Sequence, residues 1–170
     1  MLALAFAFLT TLGMAAPTAP QSTPAHTSDG VFSSISLYQG NWRVTPGMSG
    51  SAPDTLSNHC EEFREYYACQ QTVNGKVGAL IVFVYAGTTG HYNTQAILPN
   101  GFAQGRGDLL IEGQRWTFSG ESTDGGKTTN FRTVNDWNGH DRIHFEVAHS
   151  TDGKTWVIDH QGDERRTESK

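Results

Sequence analysis

Asn138-Gly139-His140-Asp141-Arg142-Ile143-His144-Phe145-Glu146-Val147-Ala148-His149-Ser150-Thr151-Asp152-Gly153 is the stretch whose reading decides the fold. Ile143, Phe145 and Val147 fall on one side of an extended chain, and Arg142, His144 and Glu146 fall on the other, because successive side chains of a strand point to opposite faces. One apolar face and one wet face is the pattern of an antiparallel sheet wrapped around a core. The Asn-Gly and Asp-Gly pairs at the two ends tolerate the positive φ that a tight hairpin demands. The segment therefore reads as one strand held between two hairpins.

The same grammar extends in both directions. Turn dipeptides recur at Asn74-Gly75, Asn100-Gly101, Glu112-Gly113 and Asp124-Gly125. Between them the sequence predicts strands over 39–46, 56–63, 66–73, 78–86, 90–98, 102–112, 114–120, 128–137, 141–149 and 154–162. Trp116 and Phe118 oppose Arg115 and Thr117, while Trp156, Ile158 and His160 share a face. Ala79–Tyr85 is apolar on both sides, so that strand is expected beneath another part of the chain, with the N-terminal segment the candidate cover. No stretch carries a helical apolar stripe of useful length; a short helical turn around Val31–Tyr38 is the one exception. About ten strands joined in sequence by tight turns make a meander, which removes its exposed edges best by closing on itself. The expected fold is all-β, a single antiparallel up-and-down β-barrel over 36–166, with a two-sheet sandwich as the alternative.

The N-terminal region has a different composition. No Asp, Glu, Lys or Arg precedes Asp29, and Leu2–Leu9 is apolar. That run is shorter than the ~20 residues a spanning helix needs, so 1–25 reads as a signal peptide, cleaved after Ala16, Ala19 or Ala25. Residues 26–35 are assigned to a flexible tether continuing the Pro, Ser and Thr composition upstream, and 167–170 to a tail. The protein is expected to be exported, to the periplasm or the medium. Its formal charge of −5 lies wholly outside the leader. A mildly acidic domain without a basic stripe argues against nucleic acid as a partner, and no transmembrane segment is expected.

In an exported chain Cys60 and Cys69 are expected to form a disulfide. A two-residue turn at Arg64-Glu65 would place them opposite each other across a hairpin. No nucleophile elbow, metal-ligand cluster or acid/base pair stands out, so no catalytic or metal-binding residue is assigned. By alternation, Tyr85 or Tyr92 (hydroxyl), Asn135 (amide) and His160 (donor or acceptor) are the polar groups expected inside the barrel. The other histidines lie among polar neighbours or in turns.

Gly40-Asn41-Trp42 at the head of the first strand resembles the Gly-x-Trp motif of lipocalins and other calycins. In those families an Arg from near the last strand covers the Trp, and Arg165 and Arg166 stand where it would arise. Tyr85, Tyr92, Gly113-x-x-Trp116, Arg132 and Ser150-x-Asp152-Gly153 extend the pattern over most of 36–166. The whole is similar to a bacterial family of secreted calycin-like domains of unknown function. Where many of those sequences carry Tyr-Asp, this one has Tyr85-Ala86. The resemblance implies a calycin/lipocalin-like barrel and, from its shape, non-enzymatic binding of a small apolar ligand. Two alternatives use His160: an isomerase or cyclase, and a haem-binding barrel, since nitrobindin-like barrels place a His late in the chain. Those barrels carry glycines where this chain continues Arg43-Val44, and no cofactor is assigned. A structural envelope domain with a filled core is a further alternative. The two Ser-Thr-Asp-Gly segments, 122–125 and 150–153, also resemble the Asp-box turns of sialidase-like propellers, but the chain is too short for four blades, which leaves a turn-building role.

Overall fold

The computed structural model describes residues 30–47, 50, 52–101 and 107–167; the leader assigned to 1–25 and the last residues of the tail lie outside them. Ten strands follow in chain order: β1 Gly40–Thr45, β2 Asp54–Phe63, β3 Tyr66–Val73, β4 Lys76–Tyr85, β5 His91–Ile97, β6 Gly107–Glu112, β7 Arg115–Asp124, β8 Lys127–Asn138, β9 Arg142–Ser150 and β10 Val157–Thr167. Each pairs antiparallel with its neighbour in sequence, and β1 pairs with both β2 and β10, so the sheet is one closed up-and-down barrel. The start of the strand expected over 102–112 lies outside the described residues.

Alternation sorts the walls as the sequence implied. Trp42, Trp116, Trp137, Ile143 and Phe145 are buried inside, while Arg115, His144 and Arg142 are exposed outside. The Arg64-Glu65 turn sets Cys60 directly against Cys69, and the two are disulfide-bonded. Closing so short a loop stabilises by about 2–3 kcal/mol in the chain-entropy description.

One end of the barrel is plugged by the chain itself. A single 3₁₀ turn, Ile35–Tyr38, follows Val31–Ser34 across the opening. Phe32 lies near Tyr67 and Tyr92, Tyr38 meets Trp116 and Trp137, and the Asn58 amide donates to the Tyr38 carbonyl at 3.1 Å. These contacts alone reach five strands around the ring. Phe32 and Ile35 are 2% and 0% exposed, so the tether assigned to 26–35 gives way to packed chain by Phe32.

Two expectations are corrected. The last strand runs over 157–167, not 154–162, because the Ser150–Thr155 turn consumes the residues before it. Asp152 Oδ1 accepts the Lys154 and Thr155 amides at 2.8 and 2.7 Å, and Ser150 Oγ accepts the Gly153 amide at 2.9 Å. These bonds, with the Ser150 hydroxyl, hold the Asp152 carboxyl far below the usual carboxylate range. A bulge at Asp159 then shifts the register, so Ile158 pairs with Ala148 on the outer wall while His160 pairs with Val147 on the inner one. Ile158 is consequently exposed, and Trp156 stacks under Arg132, 4.3 Å from ring centroid to guanidinium carbon. The second correction concerns β4. Its outer residues Val77, Leu80 and Val84 are exposed among the described residues, because the apolar run serves the outside of a wall rather than a covered layer.

Candidate functional site

Opposite the plug the barrel is hollow. A cavity of about 840 Å³ rises from Tyr38 and Asn135 to the mouth. Its position follows from side-chain size along the strands. On β8 the inward series from plug to mouth is Trp137, Asn135, Thr133, Phe131, and on β7 it is Trp116, Phe118, Gly120. Two indoles fill the lower level, whereas glycine and threonine leave space above. On β10 the inward position facing Phe145 is Gly162, where an added Cβ would lie 2.6 Å from the Thr45 carbonyl oxygen. The described lining near the opening includes Leu98, just after β5, Gly107 at the start of β6, and Gly120 and Ser122 of β7.

The floor is polar and buried. Asn135 is buried, and its side chain hydrogen-bonds the Tyr38 hydroxyl. Burial first, and the charge of Glu164 second, hold that hydroxyl far above the usual tyrosine range. Glu164 faces inward between Val44 and Ile143; burial pushes its carboxyl up to about 7, and Oε2 has no hydrogen-bond partner. The neighbouring Trp137 Nε1 is likewise buried without a partner. Above the floor the walls turn apolar through Phe83 and Phe118 in the middle and Ile81, Ala96 and Phe131 nearer the mouth.

Of the polar residues expected inside, Asn135 lines this cavity. Tyr85 and Tyr92 sit at the plugged end, beside a smaller recess of about 530 Å³ that also touches Val31 and Ser34; the Tyr92 hydroxyl donates to the Val31 carbonyl. His160 faces inward against Phe145, with ring centroids 5.4 Å apart and Nε2 buried without a partner, and it lines neither space. The structure therefore does not bring the four residues together. The sequence reading missed Tyr38, Thr133, Phe131 and Glu164. The last had a visible signal: continuing the alternation of His160 through Gly162 reaches Glu164.

The Gly-x-Trp motif has a physical basis here. Arg166 lies 4.2 Å over the Trp42 ring and donates to the Leu37, Gln39 and His140 carbonyls. Gly40 has φ +122°, and a Cβ there would meet the Arg166 guanidinium at 2.5 Å. Arg165 points outward, directly between Arg43 and Arg142. Among the described residues no group of three or more His, Cys, Asp or Glu could hold a metal ion, and no helix is long and apolar enough to cross a membrane. No family model matches the chain, and no curated protein matches it in sequence.

Proposed function

We propose that this protein is an exported, calycin-like barrel that binds a small, mostly apolar molecule in the open half of its interior. The observation that carries the reading is the cavity of about 840 Å³ between the Tyr38–Asn135 floor and the mouth. Its size falls within the roughly 300–1,000 Å³ of small-molecule sites, which pair apolar walls with a few placed polar groups. The Cys60–Cys69 disulfide supports export, since such bonds persist in oxidising compartments. The Trp42–Arg166 stack at the plugged end supports the calycin resemblance.

Titration with 1-aminoanthracene, a neutral dye that brightens in apolar surroundings, tests the reading. Saturable binding at one site is expected. Ala96→Trp, which places an indole in the cavity, should abolish it while leaving the far-ultraviolet dichroism unchanged. No binding to the wild-type protein, or undiminished binding to the folded variant, would overturn the proposal.

A further inference from the structure

We infer that the cavity selects an uncharged amphiphile, its hydrogen-bonding head lowered onto Asn135 and its apolar body filling the space toward Phe131. This rests on the binding reading above and adds the chemical class of the ligand.

Among the described residues lining the cavity there is no Lys, Arg or His, and the one ionisable acid is Glu121, exposed near the mouth. An anionic head would thus leave water for described walls that offer it no counter-charge. Burying an ion without a partner costs far more than a hydrogen bond returns. It would also pass Glu121 on entry. A cationic head likewise meets no partner on the described lining, since Glu164 acts on the Tyr38 hydroxyl from behind the floor and is not among the residues that line the cavity.

The floor nevertheless asks for a polar group. An Asn side chain offers two donors and two acceptor lone pairs, and at Asn135 the Tyr38 hydroxyl engages only part of that capacity. Asn135 is 2% exposed and lines the cavity, so a guest that enters far enough meets its amide, and covering a polar group without pairing it costs roughly 1–3 kcal/mol. Thr133 and Thr94 carry further hydroxyls on the walls just above. An alcohol, amide or ester oxygen matches amide and hydroxyl partners without any ionic cost.

Polarity is also graded along the axis, which orients the guest. Phe83 and Phe118 enclose the middle, and Ile81, Ala96, Leu98 and Phe131 surround the upper part. A linear or flat hydrocarbon body buried there gains about 25 cal/mol per Å² of surface removed from water. Reversing the molecule would set its hydrocarbon end against the Asn135 amide.

The test uses three guests of one chain length: decanol, decanoate and decylammonium, titrated calorimetrically into the wild-type protein at pH 7.5. Decanol is expected to bind at least tenfold more tightly than either ion. Asn135→Leu, checked for folding by dichroism, should weaken decanol by about tenfold, and undiminished decanol binding to the folded variant would overturn the placement of the head on Asn135. Should decanoate or decylammonium bind as tightly as decanol, the neutral-head inference falls while the binding reading stands. If none of the three binds and the dye does not bind either, the binding reading itself falls and takes this inference with it.

Discussion

The guanidinium of Arg166 faces three carbonyl oxygens and one indole at the same time: Leu37, Gln39 and His140 accept from it, and Trp42 lies beneath it. A lysine ammonium keeps the charge but lacks the planar fork that reaches several acceptors at fixed angles. Arg166→Lys is therefore expected to lower stability by about 1.5–3 kcal/mol, read as a shift in the urea midpoint followed by tryptophan fluorescence; an unchanged midpoint would count against the clamp. Glu164 acts through its proton. Its carboxyl titrates near 7 in the folded chain against an ordinary 4.5, so the folded state holds the proton more tightly than the unfolded one. Stability from this group is fully present below the unfolded value and declines as pH rises through the folded one, by on the order of 3 kcal/mol in total. Glu164→Gln should flatten the stability profile between pH 5 and 8, leaving the variant relatively more stable at the alkaline end. A wild-type profile that rises over this window, or a variant with the same slope as wild type, would refute the assignment.

At the scale of elements, the outer wall carries an arrangement that composition alone conceals. Arg43 of β1, Arg165 of β10 and Arg142 of β9 stand directly opposite one another across three adjacent strands. Like charges in cross-strand register are unfavourable by a few tenths of a kcal/mol to about 1. Arg165→Glu is expected to raise stability by a comparable ~0.5 kcal/mol at low salt, and the gain should fade in 1 M salt as screening shortens; a loss of stability would show that the row is held together by something other than Coulombic forces. The elements themselves were largely legible in the sequence. The Asn-Gly, Asp-Gly and Arg64-Glu65 turns and the two-residue alternation placed eight of the ten strands within a few residues of their observed bounds, and the start expected at 102 lies outside the described residues. What escaped was the start of β10, because a side-chain-built turn at Ser150–Thr155 and a bulge at Asp159 both insert residues that alternation does not count.

For the whole molecule, the described strands close into one barrel. The plug ties its interior to six strands: Phe32 to β3 and β5, Tyr38 to β7 and β8, and the loop carbonyls to β2 and β10. Such mutual dependence predicts one cooperative transition. Near-ultraviolet dichroism, dominated by Trp42, Trp116 and Trp137, should be lost at the same denaturant concentration as the far-ultraviolet sheet signal; two separated midpoints would mean that the plug opens on its own. The cavity was less legible than the fold for a related reason. Alternation says whether Tyr85, Tyr92, Asn135 or His160 faces in or out, but not how high along the axis it stands. That height depends on strand stagger and on which end the chain stoppers, and it separates Tyr85 and Tyr92 at the plug from Asn135 beneath the mouth.

Gly30, beside Tyr85 and Gly90, and Thr167, opposite Asn41, both lie at the stoppered end of the barrel. Coupling the domain to a bead, a sensor chip or a fusion partner through either end would therefore leave its opening facing the solution, like a cup standing on its base.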